Sequence, residues 1–386
     1  MHLNQGRAIV SERGSGASKR VVLVGGGLSH LHCLRELCRG KRDGMVATVV
    51  SPATDLMYSG MLPGWMAGHY ALDSCRVPIA ALARAAGARF INGEVAAVDA
   101  ACRKISLVDG STLDYDVLSI AVGSAIDTRA LPGADAHAIL VRPLEVFAAR
   151  WLELKQRVEA HGGARIVVVG AGAGGVEIAL AARHAFAGAR DVQLAMVSST
   201  SLLPGPSGPR MRRHLQAADI VVHNGVDAIG VDKNSVHLAD GARIEADAAI
   251  IATGSAAPGW LAASGLPVDP AGYVRVEPTL AVVSLPGVFA SGDCASIEGA
   301  VQARSGVNAL RMGPALLANL RRCVSGGALA PYSPRQRALH LVSAGDRYAV
   351  GVWGGLTFEG RWVWHWKDRI DRAFIARHTP GGSARR

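Results

Sequence analysis

Apolar residues near the start of the chain follow first a strand pattern and then a helix pattern. The apolar run Val21 to Val24 ends at three consecutive glycines, and Leu31 to Arg39 continues with helical spacing. Met45 to Val50 is a second apolar run, which ends at Ser51 and Pro52. A strand, a glycine turn, a helix and a second strand within about 30 residues predict one βαβ unit, the size of a mononucleotide-binding half.

The same pattern returns in the middle of the chain. The strand-like run from Arg165 leads into Gly170, Gly172 and Gly175, and an apolar-periodic helix pattern follows. In this context, backbone N–H groups and a helix N-terminus bind a pyrophosphate. The first turn matches less well, because Gly25 and Gly27 are followed by His30, where a third glycine is expected.

An internal repeat connects the two units. Residues 107–124, LVDGSTLDYDVLSIAVGS, align without a gap with residues 238–255, LADGARIEADAAIIATGS, at an offset of 131. Each copy lies downstream of a glycine turn and ends in a strand followed by Gly-Ser. The repeat therefore predicts two dinucleotide-binding units of similar plan, with Ala121, Gly123 and Gly254 at the ends of the matching strands.

The last third of the chain adds one landmark and one distinctive helix. An apolar run ends at Gly292 and Asp293, residues 301–320 have helical spacing, and short strand-like segments follow. Residues 361–378 predict an amphipathic helix rich in Trp and Arg, which fits a membrane-surface anchor, a dimer contact or a cap over a bound cofactor. Its predicted apolar face consists of Trp362 or Val363, Trp366, Ile370 and Phe374.

Composition narrows the class of protein. With 386 residues, 49% of them hydrophobic, the chain can form two or three globular domains. The net charge of +10 fits dinucleotide phosphates, a membrane surface or an Arg-rich genomic bias, but no nucleic-acid motif is present. Six scattered cysteines predict free thiols and no metal site. Without an apolar span or a signal peptide, we expect a cytoplasmic protein that begins with a disordered tail.

In this order, the landmarks resemble those of the pyridine nucleotide-disulfide oxidoreductase superfamily, flavoproteins with two dinucleotide-binding domains. The resemblance implies that the first turn binds FAD, that the second binds NAD(P)H, and that Asp293 contacts the FAD ribityl chain. It implies an α/β fold of two Rossmann-like domains, the second inserted in the first, with a small C-terminal α+β region. The expected boundaries are 1–20 for the tail, 21–143 and 257–325 for the FAD domain, 144–256 for the NAD(P)H domain, 326–378 for the C-terminal strands and helix, and 379–386 for a second tail.

Within the superfamily, the chain is most similar to the type II NADH dehydrogenases. It is closer still to the flavoprotein that some organisms fuse in front of selenide, water dikinase. The motifs that carry this similarity are VGGGLSH, Ser51-Pro52, YSGMLPGWMAGHY at 58–70 and GRWVWHWKDRID. In that subgroup a histidine commonly stands where His30 does. We expect the nearly uncharged loop 58–70 either to cover the flavin ring or to pack against the core.

The resemblance implies an FAD-dependent NAD(P)H oxidoreductase that reduces a quinone or another small acceptor. A sulfide:quinone oxidoreductase or a related sulfur or selenium flavoenzyme is an alternative, but it needs a reactive cysteine pair beside the flavin. A non-catalytic flavin-binding partner protein is another, because Ser51 and Ser198 stand where ribose-binding acids are expected. The choice between NADH and NADPH stays open, although Arg212 and Arg213 could contact a 2′-phosphate.

Glu177 has two interpretations, because the resemblance places it near the nicotinamide ribose, whereas a first-turn glutamate is also favoured by the helix dipole. No catalytic side chain and no metal ligand is predicted. The residues predicted to bind the cofactors are Gly25, Gly27, Leu28, Ser29, His30, Ser51, Pro52, Ala121, Gly123, Gly170, Gly172, Gly175, Glu177, Gly254, Gly292 and Asp293.

Overall fold

The computed structural model describes residues 18–40, 43–189, 191–200, 203, 205–300, 303–334 and 338–381. Most of the predicted N-terminal tail, residues 1–17, lies outside this part of the chain. The first strand begins at Lys19, one residue before the expected end of the tail.

The first third of the chain forms most of one sheet with its helices and a small antiparallel sheet. The strands that follow the apolar runs are buried on both faces, as parallel strands between helix layers require. The elements are β1 (Lys19–Val24), α1 (Leu28–Cys38), β2 (Met45–Ser51), β3 (Leu56–Met57), α2 (Leu62–Met66), β4 (Arg76–Val77), α3 (Ile79–Ala85), β5 (Arg89–Asn92), β6 (Val95–Asp99), β7 (Lys104–Leu107), β8 (Thr112–Asp114), β9 (Val117–Ile120) and β10 (Ala125–Ile126).

The middle third forms a second sheet on the same plan. Its elements are α4 (Ala134–His137), β11 (Ala138–Leu140), α5 (Leu144–His161), β12 (Gly163–Val169), α6 (Ala173–Ala185), β13 (Asp191–Ser198), α7 (Gly208–Ala217), β14 (Ile220–Asn224), β15 (Ala228–Asp232), β16 (Ser235–Leu238), β17 (Arg243–Glu245), β18 (Ala248–Ile251) and β19 (Ser255–Ala256).

The last third returns to the first sheet and then adds a C-terminal region. Ser305 caps the long helix of this part, because its side chain accepts a hydrogen bond from the Asn308 N–H group. The elements are α8 (Gly259–Ala263), β20 (Val274–Val276), β21 (Val288–Ala290), β22 (Ala295–Ile297), α9 (Gly306–Ser325), β23 (Leu339–Ser343), β24 (Ala349–Trp353), β25 (Leu356–Gly360) and α10 (Arg361–His378).

The first sheet is assembled from two separate parts of the chain. Its strand order is β21-β9-β1-β2-β5, and all its neighbouring strands are parallel. Because β21 joins the sheet after the whole second sheet has been completed, the second unit is inserted within the first. This confirms the predicted α/β fold with two Rossmann-like units.

The second sheet has the order β11-β18-β12-β13-β14 and is also parallel throughout. Its edge strand β11 lies before residue 144, where the second domain is expected to begin. The two units are connected by the short antiparallel pair of β10 and β19.

The internal repeat is confirmed strand by strand. Strands β7, β8 and β9 and strands β16, β17 and β18 have the same lengths and are separated by the predicted offset. Equivalent ion pairs hold each copy to its first strand, because Arg20 binds Asp116 at 3.1 Å and Arg165 binds Asp247 at 3.0 Å. The two units therefore share backbone structure and surface contacts.

The C-terminal region packs on the second unit. Strands β23, β24 and β25 form an antiparallel sheet, and α10 crosses it. Val350 of β24 and Val363 of α10 lie in one buried cluster with residues of α2 and α6. Helix α10 therefore covers the place where loop 58–70 meets the second unit.

Candidate functional site

The turn after β1 depends on glycine at two positions. Gly25 has a φ of +89°, and an added Cβ would lie 2.5 Å from the Ala121 carbonyl oxygen. At Gly27, an added Cβ would lie 2.3 Å from the same oxygen. Gly27 precedes α1, so the free N–H groups of the first helical turn are presented at the carboxyl end of the sheet.

Asp293 lies where the last strand of the first sheet ends. The preceding Gly292 has a φ of +74°, and its N–H group contacts the Met312 sulfur at 3.1 Å. A cavity of about 180 Å³ opens beside Asp293 and is lined on one side by Asn308 and Ala309 of α9. The first turn, Asp293 and the start of α9 thus meet at one end of the sheet.

Arg142 joins this site although no sequence motif marks it. Its guanidinium donates to an Asp293 carboxylate oxygen at 3.2 Å and also to the Ser124 hydroxyl. Arg142 follows β11 in the second unit, whereas Asp293 belongs to the first. Arg142 and Asp293 therefore form a contact between the two units. This contact lies beside Ser124, in the Gly-Ser segment that follows the repeated strand β9.

The other predicted residues of the first turn differ in exposure. Ser29 is buried, and its hydroxyl lies 2.7 Å from that of Ser291. His30 is also buried, behind the turn, whereas Leu28 is partly exposed. Ser51 is buried and accepts a hydrogen bond from the Ala53 N–H group at 3.4 Å, and Pro52 is exposed.

The second turn has open space at Gly172 and is tightly packed at Gly175. An added Cβ on Gly175 would lie 1.9 Å from the Gly170 carbonyl oxygen, so that only glycine lets α6 pass so close. An added Cβ on Gly172 would meet no described atom within 4 Å. Among the described residues, the buried Thr253 hydroxyl beside Gly254 has no hydrogen-bond partner. An open turn next to an unpartnered hydroxyl fits a bound dinucleotide.

The end of β13 carries no acidic side chain. Ser198 donates a hydrogen bond to the Thr200 carbonyl oxygen at 2.8 Å. Arg213 lies 3.7 Å from Glu359 of the C-terminal sheet, and Arg212 is exposed. Arg213 therefore already has a carboxylate partner within the protein.

Glu177 faces the C-terminal region. Helix α6 begins at Ala173 and has no acid in its first turn, so the interpretation of Glu177 as a first-turn glutamate is wrong. Its carboxylate accepts a hydrogen bond from the Ser343 N–H group at 2.7 Å. Burial raises the pKa of Glu177 to about 7, although the charge of Lys367 opposes this shift. The group can therefore gain or lose a proton near neutral pH.

Loop 58–70 packs into the protein. Met61 and Met66 are buried in the cluster that contains α6, so their side chains are not free to cover a flavin ring. Tyr58, at the start of the loop, stacks on Phe374 of α10 with ring centroids 4.3 Å apart. Of the two expectations for this loop, the structure favours core packing for its apolar side chains.

Two charged residues of α10, Lys367 and Asp371, form hydrogen bonds with the start of loop 58–70. Lys367 donates hydrogen bonds to the Gly60 carbonyl oxygen and, at 2.7 Å, to Asp371. Asp371 also accepts a hydrogen bond from Tyr58, and burial raises the pKa of its carboxyl group. Sequence reasoning missed both residues, because charges at helical spacing usually mark a solvated face.

The predicted apolar face of α10 is therefore only partly correct. Val363 and Phe374 are buried, as predicted. Trp362, Trp366 and Ile370 are instead 58%, 39% and 41% exposed. The side chain of Lys367 is only 12% exposed, so the helix buries a charged pair and presents tryptophans to solvent.

The cysteines do not form a redox pair in this structure. All six lie in the described part of the chain and are free thiols. Cys294, next to Asp293, is completely buried, and burial raises the pKa of its thiol to about 11. Burial likewise raises the pKa of Cys33 to about 12. Both thiols are therefore poor nucleophiles at neutral pH.

Residues 19–313 match the family model described as pyridine nucleotide-disulphide oxidoreductase. A NADH dehydrogenase-like protein of Mycobacterium tuberculosis is 27% identical over 242 residues, which cover 58% of this chain and 60% of that relative. A type II NADH:quinone oxidoreductase of the same organism is 28% identical over 325 residues, covering 74% of this chain and 68% of the relative. The match thus spans less than two thirds of the first relative.

Solved structures share the fold at low sequence identity. The sulfide:quinone oxidoreductase of Aquifex aeolicus has a TM-score of 0.81 and 18% identity, covering 95% of this chain and 92% of its own. NDH2 of Plasmodium falciparum in complex with NADH has a TM-score of 0.79 and 16% identity, covering 93% and 97%. They show the shared fold, whereas the predicted resemblance to type II NADH dehydrogenases is supported by the family model and by the Mycobacterium tuberculosis relatives. They do not test the closer resemblance to the flavoprotein fused to selenide, water dikinase.

Proposed function

The chain belongs to the pyridine nucleotide-disulphide oxidoreductase family, whose cofactors are FAD and NAD(P)H, and from this we propose that it is an NAD(P)H:acceptor oxidoreductase. Bound FAD would supply the two-electron chemistry that connects the reduced nicotinamide with the acceptor. We propose a quinone or another small molecule as that acceptor.

The observation that carries this proposal is the position of two glycine turns on two repeated sheets. Gly25 and Gly170 stand at the carboxyl ends of β1 and β12, where open α/β sheets bind nucleotides. Arg142 and Asp293 lie between the two units. An Asp293 carboxylate suits the ribityl hydroxyls of FAD, and Arg142 would fix its position.

We propose that the acceptor binds near the start of loop 58–70. Ser59 and Leu28 both lie close to Gly306 at the start of α9. A Cβ added to Gly306 would lie 3.8 Å from the Ser59 hydroxyl oxygen and 3.1 Å from Leu28 Cδ1. Quinone reduction consumes protons, and Glu177, with its pKa of about 7, could hold one close to this region. The charge of Lys367 would favour the carboxylate form after the proton has left.

For the cellular position, we propose peripheral contact with an anionic membrane surface. Every described helix is too short or too polar to cross a bilayer. Trp362 and Trp366 of α10 stack on Phe358 of the C-terminal sheet. Trp353 and Leu356, at the tip of the same sheet, are 60% and 69% exposed. Arg361 and Arg369 are exposed on the same helix. Aromatic and cationic side chains together favour a lipid headgroup region over a dimer contact.

The sulfide-oxidising alternative receives no support from the cysteines. That chemistry would need reactive thiols beside the flavin, whereas Cys294 and Cys33 are buried with raised thiol pKa values. The non-catalytic alternative rests on Ser51 and Ser198, and only a measurement of turnover separates it from the enzyme.

Gly172→Ala is the experiment that tests the nucleotide site. The backbone of Gly172 has a φ of −70°, which alanine adopts readily, and an added Cβ meets no described atom. The variant should therefore fold and retain FAD, while its methyl group occupies space needed by the pyrophosphate. We expect KM for NADH or NADPH to rise about tenfold or more in a steady-state assay with a water-soluble quinone.

Gly188→Ala is the matched control, since Gly188 is exposed and also has open space for a Cβ. It should leave KM unchanged. An unchanged KM in Gly172→Ala would mean that NAD(P)H does not use the second turn. Wild-type protein that binds FAD but oxidises neither nucleotide would support the non-catalytic alternative.

A further inference from the structure

The two glycine turns differ at one position, and the difference has a structural consequence. Behind the second turn, Gly175 lets α6 lie against the Gly170 carbonyl oxygen. At the same place behind the first turn, the chain has His30, and its imidazole Nδ1 lies 2.7 Å from the Gly25 carbonyl oxygen. A side-chain hydrogen bond thus replaces the close backbone contact.

The position of the proton on His30 follows from its two neighbours. A carbonyl oxygen only accepts hydrogen bonds, so Nδ1 carries the proton and donates to Gly25. Nε2 lies 2.8 Å from the Ser119 hydroxyl oxygen and therefore accepts a hydrogen bond from that hydroxyl. His30 is completely buried, and burial lowers its pKa to about 4. The ring stays neutral at physiological pH.

Ser119 is the second half of this arrangement. It is completely buried in β9, where a hydroxyl without a partner would be costly. Its counterpart in the repeat, 131 residues later, is Ile250, which is equally buried. The first unit therefore combines histidine with serine, and the second combines glycine with isoleucine. The hydrogen bond that Ser119 donates to His30 Nε2 explains why the first unit has serine at this position.

We propose that His30 and Ser119 form a buried hydrogen-bonded pair that fixes the first turn for FAD, with His30 as a positioning residue that does not touch the cofactor. In a trans peptide, the carbonyl and the following N–H group point in opposite directions. Because His30 holds the Gly25 carbonyl inward, the Gly26 N–H group points outward, to the side where the pyrophosphate binds. The inference rests on the proposed function, in that the first turn is the FAD site.

The test compares His30→Ala with Leu34→Ala. Leu34 is a completely buried residue of the same helix, one turn further from the glycine turn. Both variants should unfold at lower temperature than the wild type. Only His30→Ala should weaken binding of FAD to the apoprotein, by roughly ten- to a hundredfold, since it leaves a buried carbonyl without its donor. The readout is the FAD dissociation constant from flavin fluorescence.

Ser119→Ala keeps the proposal testable if His30→Ala does not fold. Its dissociation constant for FAD should rise about two- to tenfold, with no additional effect in the His30→Ala background. In the wild type, ¹⁵N NMR of the imidazole should show a single Nδ1–H tautomer, and Ser119→Ala should shift the Nε2 resonance.

Each contrary result has a distinct meaning. Equal FAD affinity in His30→Ala and Leu34→Ala, or an Nε2–H tautomer in the wild type, would overturn the positioning role. A wild-type apoprotein that does not bind FAD at all would instead overturn the proposed function. FAD binding that is normal in the wild type and unchanged in Ser119→Ala would remove Ser119 from the arrangement and contradict the pair.

Discussion

Single residues explain most of the local geometry of the two turns. The sequence predicts best those residues whose role is set by backbone conformation. Gly25, Gly170 and Gly292 have positive φ values, and their spacing after apolar runs is visible without a structure. Arg142 and Thr253 could not be assigned in this way. Their importance comes from neighbours distant in the chain, such as Asp293, which lies 151 residues from Arg142.

The Glu177 side chain should make the free energy of unfolding depend on pH. Its folded-state pKa of about 7 lies above the ordinary 4.5, so the folded protein binds the extra proton between these values. Stability from this group is therefore complete below about pH 4.5 and decreases as the pH rises through 7, by at most about 3 kcal/mol. Glu177→Gln keeps an oxygen for the Ser343 N–H group and should raise the free energy of unfolding at pH 8 but not at pH 4.5.

Urea denaturation at the two pH values measures this difference. The exposed surface residue Glu153 offers the control Glu153→Gln, which should change stability by less than about 1 kcal/mol at either pH. If Glu177→Gln is no more stable than the wild type at pH 8, the carboxyl group of Glu177 does not carry the cost assigned to it.

Among the elements, helix α10 shows what periodicity can and cannot predict. Its predicted bounds, residues 361–378, are those of the structure. Its buried face was only half predicted, because an apolar scale ranks Trp366 above Lys367. The structure buries the lysine since the Gly60 carbonyl oxygen and Asp371 provide its hydrogen-bond partners. Those partners are known only once the loop has been placed.

Lys367→Met tests the importance of this pair. The variant leaves Asp371 buried without its cation, and loss of one partner of a buried pair costs about 3 to 5 kcal/mol. The loss should be larger at pH 8 than at pH 5, because burial has already raised the pKa of Asp371 and protonation relieves the unpaired charge.

Arg372→Met is the matched variant on the same helix. It breaks the pair with Asp368, in which the arginine side chain is 54% exposed, and should cost less than about 1 kcal/mol. Equal losses in the two variants, measured by urea denaturation, would show that Lys367 does not hold the loop.

At the scale of the whole molecule, the repeat made the architecture predictable. Two glycine turns and two copies of one strand pattern specify two similar sheets, and the late Gly292-Asp293 shows that the first sheet is completed last. Edge strand β11 was not anticipated, because three residues are too few to produce a period in the sequence. The exposed tryptophans likewise became visible only after α10 had been placed on its sheet.

The surface formed by these tryptophans leads to a prediction about membranes. The double variant Trp362→Ser/Trp366→Ser should lower binding to vesicles that contain anionic lipid about tenfold in a sedimentation assay, and wild-type binding should weaken with added salt. Val221→Ser removes a residue of similar exposure, 58%, from the second sheet and should have no effect. Unchanged vesicle binding, or conversion of a dimer to a monomer, would contradict the membrane assignment.

In the proposed reaction, one chain brings a reduced nicotinamide to a bound flavin. The most direct measurement is the visible spectrum of the FAD-loaded protein during anaerobic addition of NADH and, separately, of NADPH. We predict that at least one nucleotide bleaches the flavin absorbance on the time scale of a single turnover, and that a quinone then restores it. A bound flavin that neither nucleotide bleaches would contradict hydride transfer from NAD(P)H to the flavin of this protein.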